Sequence, residues 1–277
     1  MRWLHFILSH SVFIALCATA LCYQSYAVLH IKPENAVYIF VFFATLCSYN
    51  FYWLAGKFAY RKEKSLIRFI KINFSYFIVF LFSAAVTLIA GSQLIFSLPL
   101  IILTASLTFL YSTPLWNKTA SALAAKTGFL KTIILALTWG IVTVMFPAHN
   151  AIEASVLPVF LLLAARFFLM LMLCLIFDMR DIDVDKINAF HSLATDVSRK
   201  ALMFIMATSF CLYVIAGLLV RMYMNDNKLL IAHLFTGMVV WIVYRLSIKK
   251  QGYLFYYFLV DGLMMVAAIA TYAAGWF

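Results

Sequence analysis

A dense group of carboxylates is the feature of this sequence best suited to chemistry. Five of the ten acidic residues fall within nineteen positions directly after an apolar run, at Asp178, Asp181, Asp183, Asp185 and Asp196. If a helix continues through this stretch, Asp178, Asp181 and Asp185 lie at i, i+3 and i+7, within about 60° of one another around the helix axis. Asp183 points away from them. The spacing therefore predicts three carboxylates on one helix face.

Carboxylates on one face repel one another unless a cation joins them. Mg²⁺ suits this chemistry, because it prefers oxygen ligands and is commonly held by one or two carboxylates together with substrate phosphates. We therefore expect Asp178, Asp181 and Asp185 to hold magnesium and a diphosphate, with Arg180 and Lys186 helping to neutralise the phosphate charge. The alternative is a solvated acidic loop beside a membrane.

The elements that must position this cluster are membrane helices. The 277 residues are 66% hydrophobic and 11% charged, with a mean hydropathy of +1.01, whereas soluble proteins carry roughly 25% charged residues. Because a bilayer core needs about 20 apolar residues per helix, the sequence predicts an all-α bundle of nine transmembrane helices in one domain, residues 1–277. The expected spans are 3–23, 36–56, 73–92, 94–114, 127–147, 154–177, 200–220, 228–247 and 253–275.

The basic residues indicate an orientation in the membrane. The net charge of +11 comes from residues spread through short loops, which does not favour a nucleic-acid partner. One side receives most of the 21 Lys and Arg residues, whereas the other receives Lys32, Arg221 and Lys228. The positive-inside rule then predicts a cytoplasmic N-terminus and an outside C-terminus, in a bacterial plasma (inner) membrane. The alternative for the first span is a cleaved signal peptide, since Arg2 precedes its apolar run.

Arg166 lies near the middle of the sixth predicted span, and Asp261 lies inside the ninth. An unpaired charge is costly there, so we expect the two to form a buried salt bridge. A proton or ion pathway is the alternative.

The acidic stretch also resembles a motif of a known family. Residues 177–186 read FDMRDIDVDK and resemble the second aspartate-rich motif, DxxDxxxD, of the UbiA superfamily of intramembrane prenyltransferases. Those enzymes have nine transmembrane helices, with aspartate-rich motifs on cytoplasmic loops after the second and sixth, where this sequence has its two long polar loops. A second run, YSTP at 111–114 with Lys118, Gly128, Lys131 and WG at 139–140, is similar to the family's segment across the fourth and fifth helices.

The resemblance implies a magnesium-dependent transferase that moves a polyprenyl group from its diphosphate to an aromatic or other lipophilic acceptor. It implies that Asp178, Asp181 and Asp185 are the metal-binding and catalytic carboxylates. It also implies that Tyr111, Lys118 and Lys131 contribute to diphosphate binding.

The first aspartate-rich motif is where the sequence departs from the family. That motif reads approximately NDxxDxxxD, and the aligned positions here are Asn50, Phe51, Leu54 and Phe58, so the asparagine alone is retained. In one interpretation Asn50 and the basic loop beginning at Lys57 bind the diphosphate directly, and activity survives with one metal site. In the other the chain is a non-catalytic isoprenoid-binding or scaffold membrane protein.

Overall fold

A computed structural model of the protein describes residues 2–59, 65–94, 97–112, 124–150, 156–187 and 192–275, and in these residues all regular structure is helical. The helices are α1 (Arg2–Ser9), α2 (Val12–Leu29), α3 (Asn35–Ala59), α4 (Leu66–Ile72), α5 (Phe74–Gln93), α6 (Leu98–Ser112), α7 (Ala124–Gly140), α8 (Val156–Ile187), α9 (Leu193–Asp196), α10 (Arg199–Met224), α11 (Asn227–Ser247) and α12 (Asp261–Ala274). Two π-helical segments accompany them, Ile141–Met145 after α7 and Phe255–Val260 before α12.

Eight helices in the described ranges are long and apolar enough to cross a membrane. They are Val12–Leu29, Asn35–Phe58, Phe74–Gln93, Gly128–Met145, Val156–Asp183, Arg199–Met224, Asn227–Ser247 and Phe255–Ala274. The protein is therefore a polytopic helical membrane protein. A further apolar helix, Leu98–Leu110, is shorter, and the 15 residues of α6 extend about 22 Å against a bilayer core of about 30 Å. A ninth crossing therefore stays a prediction.

The N-terminal span differs from the predicted 3–23. Ser11 lies between α1 and α2 with a left-handed φ of 64°, and a left-handed residue ends a right-handed helix. Asn50 of α3 stabilises the break, because its Nδ2 donates a hydrogen bond to the carbonyl of His10 at 3.0 Å. The long apolar run is therefore divided into the short helix α1 and a crossing at Val12–Leu29.

The eight crossing helices and α6 pack against one another, and most of them form a closed circuit. The packed pairs are α2 with α3, α3 with α6, α6 with α7, α7 with α8, α8 with α10, α10 with α11, α11 with α12, and α12 with α2, while α5 packs on α3. In the apolar window of α8 67% of the residues are buried, against 11% in α5. The helix that carries the acidic cluster is thus the most enclosed of the crossings.

The sixth span, predicted to end at residue 177, continues as a helix through the acidic cluster, which is the condition for its carboxylates to share one face. Helix α8 runs unbroken over 32 residues to Ile187, a length of about 48 Å. Asp178, Asp181 and Asp185 therefore lie in the last turns of one continuous helix, and their spacing places them on one side of it.

Candidate functional site

The end of α8 meets α7 at a polar contact. Thr132 of α7, 4% exposed, donates a hydrogen bond from Oγ1 to Oδ2 of Asp178 at 2.8 Å. The neighbouring Lys131 interacts electrostatically with both Asp178 and Asp185. This contact therefore gathers two carboxylates, a hydroxyl and an ammonium group.

Asp185 lies one turn beyond Asp181, past the end of the apolar span. Burial raises the pKa of Asp185, and the negative charge of Asp181 adds to that rise. A hydrogen bond with Ser192 and the positive charges of Lys131 and Arg180 oppose it. Its carboxylate is therefore poorly solvated and would gain from a cation.

The chain after α8 is held against α7 by a close approach at Gly128. A Cβ added to Gly128 would lie 2.7 Å from the carbonyl carbon of Ser192 and 2.8 Å from Oδ2 of Asp196. Thr195 fixes this turn, because its Oγ1 accepts a hydrogen bond from the backbone N–H of Ser192 at 2.9 Å. Only glycine leaves room for α9 here, so Gly128 helps to keep Ser192 beside Asp185.

Asp181 is paired with its neighbour Arg180. Nε and Nη2 of Arg180 donate to Oδ1 and Oδ2 of Asp181, both at 2.7 Å. Although Asp181 shares a helix face with Asp178 and Asp185, its carboxylate already has a bidentate partner. Among the described residues no three His, Cys, Asp or Glu side chains are close enough together to hold a metal ion. The three-carboxylate magnesium site stays a prediction, and it requires Asp181 to leave Arg180.

Aromatic rings surround the guanidinium of Arg180. It lies 4.9 Å from the ring centroid of Phe177, 5.3 Å from that of Tyr256 and 5.0 Å from that of Tyr257. Such cation–π contacts hold a guanidinium in place. The two tyrosines lie in the π-helical segment before α12, and π-helical turns occur frequently at functional sites.

Asp261 begins α12 close to this group. It is 6% exposed and interacts electrostatically with Arg180, Tyr49 and Cys174. Its side chain makes no hydrogen bond or ion pair within the part of the chain that the structure describes. Cys174 also interacts with Asp178. The polar group at the end of α8 therefore extends inward to a buried carboxylate.

The expected salt bridge between Arg166 and Asp261 is wrong. Arg166 Nη2 donates to Oε1 of Gln24 at 2.7 Å, and the positive charge near Asp261 belongs to Arg180. The two residues lie at different levels along the bundle. Asp261 is close to the group that contains Asp178, whereas Arg166 precedes Asp178 by about 18 Å along α8.

The other residues predicted to bind substrate form hydrogen bonds with different partners or have side chains outside the described residues. Asn50, 0% exposed, donates to the carbonyls of His10 and Leu46 at 3.0 and 2.8 Å, and its Oδ1 has no hydrogen-bond partner in the described ranges. Lys57 Nζ donates to Oδ1 of Asn73 at 3.2 Å. Tyr111 and Lys186 lie in the last turns of α6 and α8, with side chains outside the described part, and Lys118 lies entirely outside it.

Sequence reasoning missed three members of the group, Thr132, Tyr256 and Tyr257. For the tyrosines a signal exists, because Tyr253, Tyr256, Tyr257 and Asp261 are spaced i, i+3, i+4 and i+8, the spacing of one helix face. For Thr132 the sequence offers no comparable signal, since a threonine in an apolar helix is ordinary.

The fold and this polar group define the protein as a helical integral membrane protein with ionisable residues gathered at one end of its most buried helix. No family model, curated protein or solved structure matches the chain. Membership of the UbiA superfamily therefore remains an expectation from the motif residues.

Proposed function

We propose that the protein is a UbiA-type intramembrane prenyltransferase, which binds a polyprenyl diphosphate at the end of α8 and transfers the prenyl group to an aromatic or other lipophilic acceptor. The observation that supports this most is the α7–α8 contact, where Lys131 and Thr132 face the carboxylates of Asp178 and Asp185. Carboxylates able to share a cation and an ammonium able to contact phosphate lie together there.

The carboxylates of Asp178 and Asp185 are chemically suited to magnesium, since carboxylate oxygens are its preferred protein ligands. Asp178 and Asp185 would hold the ion, with Thr132 orienting Asp178. Magnesium would supply positive charge to the departing diphosphate. A diphosphate offers Arg180 the same paired oxygens that Asp181 offers now. We therefore propose that substrate binding exchanges these partners and releases Asp181 toward the ion.

The reaction breaks the bond between the allylic carbon and the diphosphate oxygen, forms a bond from that carbon to the acceptor, and releases a proton from the acceptor. Water must be kept from the allylic cation. The rings of Phe177, Tyr256 and Tyr257, which lie around Arg180, are suited to forming the apolar wall beside it. Our proposal also places the N-terminus in the cytoplasm and the protein in a bacterial inner membrane.

A non-catalytic isoprenoid-binding protein is the second candidate, favoured by the end of α3. Phe51, Leu54 and Phe58 occupy the positions of the family's first aspartate motif, and Leu54 is 7% exposed. The basic residue nearby, Lys57, lies against Asn73 and over the ring of Tyr76 at 4.0 Å. An enzyme of this kind would have to ionise its substrate without those carboxylates.

The test is diphosphate release from a labelled polyprenyl diphosphate by protein in lipid nanodiscs, with and without Mg²⁺. The informative variant is Asp178→Asn, and the matched control is Asp183→Asn, which makes the same change at an exposed position of the same helix. Diphosphate release that requires Mg²⁺ and is lost in Asp178→Asn but not in Asp183→Asn supports the prenyltransferase function. Tight binding without release supports the binding protein, and absence of binding refutes both.

A further inference from the structure

Arg166 carries a buried positive charge, and no carboxylate of the described residues pairs with it. The side chain is 2% exposed, and Nη2 donates to neutral acceptors, Oε1 of Gln24 at 2.7 Å and, more weakly, Oγ of Ser25 at 3.4 Å. Within the described ranges it interacts electrostatically with Cys22, Tyr213 and His233, a thiol, a phenol and an imidazole that carry no negative charge near pH 7. Since arginine remains protonated in proteins, an uncompensated charge lies in the bundle interior.

The other terminal nitrogen of this guanidinium, Nη1, is buried and has no hydrogen-bond partner in the part of the chain described. Arg166 also lines an internal cavity of about 10 Å³, together with Gln24, Tyr213, His233 and three apolar residues of α8. That volume is the space open to the centre of a water-sized particle, so the cavity admits one small particle.

The walls of this cavity are held rigidly. Nδ1–H of His233 donates a hydrogen bond to the carbonyl of Leu229 at 2.9 Å, and the ring centroids of His233 and Tyr213 lie 5.3 Å apart. A Cβ at Gly217 would lie 2.8 Å from Cδ2 of His233, so glycine is needed for this ring to fit. The cavity is therefore preformed by packing between α10 and α11.

The remaining wall is fixed by Gln24, whose Nε2 donates to the carbonyl of Ala267 at 3.0 Å and to Oγ1 of Thr271 at 2.8 Å. These bonds orient Oε1 toward Arg166. Three helices, α2, α8 and α12, are joined in this way around one charge.

We propose that this cavity binds a single halide-sized anion, chloride in the cell, as the counter-ion of Arg166. A water molecule would satisfy Nη1 but leave the buried charge uncompensated, whereas an anion does both. The small volume favours a monatomic anion over a larger polyatomic one such as sulfate or phosphate. This site is independent of the proposed prenyl transfer, because Asp178 lies about 18 Å further along α8.

The test compares thermal unfolding of the purified protein in sodium bromide, chloride, gluconate and sulfate at equal ionic strength. Halides should raise Tm by several degrees in a saturable manner, and the other anions should not. Crystals grown in bromide should give an anomalous peak beside Nη1 of Arg166. Equal Tm in all four salts, or a bromide-grown crystal without that peak, overturns the proposal.

A variant tests the location without removing the arginine. Gln24→Glu places a carboxylate at the position that already contacts Arg166, so the fold keeps its contact while the charge is neutralised internally. Its Tm should no longer respond to halides. Thr19→Val is the matched control, because Thr19 lies on the same helix and bonds only to the carbonyl of Ala15 in that helix at 2.9 Å. A halide response in Gln24→Glu equal to that of wild type contradicts the assignment.

Discussion

Replacing Gln24 with methionine removes the polar bridge between three helices while nearly preserving side-chain volume. Gln24 is 5% exposed. It accepts a hydrogen bond from Arg166 and donates to Ala267 and Thr271. Methionine can make none of these contacts, so Arg166 loses its shortest hydrogen bond and two acceptors on α12 lose a donor.

The contacts give the size of the effect. A hydrogen bond to a charged group contributes about 1.5–3 kcal/mol, and a hydrogen bond between membrane helices averages about 0.6 kcal/mol. One bond of the first kind and two of the second predict that Gln24→Met lowers the free energy of unfolding by about 3–4 kcal/mol. Burial of the methionine offsets little, because lipid is as apolar as the core.

The assay is reversible unfolding in mixed micelles, with the free energy obtained from titration with a denaturing detergent. Thr19→Val, which removes a hydroxyl bonded within α2, should change stability by less than about 0.6 kcal/mol. A Gln24→Met variant within about 1 kcal/mol of wild type would refute the reasoning, since Arg166 would then be solvated by something other than this side chain.

Three further outcomes follow from the group at the end of α8. Gly128→Ala should lower the free energy of unfolding by about 1–3 kcal/mol through overpacking and lower Tm by several degrees. Gly56→Ala is the control and should not lower Tm, because a Cβ added there meets no atom within 4 Å. The Arg180→Gln variant should bind Mn²⁺ several-fold more tightly than wild type in an EPR titration without diphosphate, because Asp181 is then free to bind the ion. Unchanged affinity would show that the Arg180–Asp181 pair does not keep Asp181 from binding metal. Burial raises the pKa of Asp185, so ionising this carboxyl costs more free energy in the folded than in the unfolded protein. Its contribution to the free energy of unfolding therefore falls as pH rises above about 4. Asp185→Asn should flatten that decline of Tm with pH, and an identical pH profile would contradict the assignment.

Local patterns predicted much of the helical architecture. The apolar runs identified the membrane-crossing helices, because each helix must satisfy its own backbone hydrogen bonds in lipid. The spacing of Asp178, Asp181 and Asp185 predicted one shared face on the condition that the helix continued through them. The break at Ser11 could not be predicted, since the apolar run continues through it. It depends on Asn50, which lies forty positions away and supplies a donor to the carbonyl of His10.

At the end of α8, too, the sequence predicted the residues but not the contacts between them. Its carboxylates were evident from composition, but the hydrogen bond from Thr132 to Asp178 joins two helices, and no local pattern specifies it. The cap of α10 was ambiguous for a different reason. Thr195, Asp196 and Ser198 all precede α10, and Ser198 caps it by accepting from the N–H of Ala201 at 3.2 Å. Several residues of the right type stood close together, and tertiary packing of α9 on Gly128 decided between them.

The π-helical segment Phe255–Val260 has a consequence for changes of chain length. In a regular α-helix, deleting one residue rotates everything beyond it by about 100°, which would carry Asp261 away from the bundle interior. A π-helical turn accommodates an extra residue while the flanking helices keep their facing. Deleting one residue within this segment should therefore restore ordinary α-helix and leave Asp261 directed inward. The crossing that contains α12 thus has one short interval in which evolution can shorten the chain without displacing the buried carboxylate of Asp261.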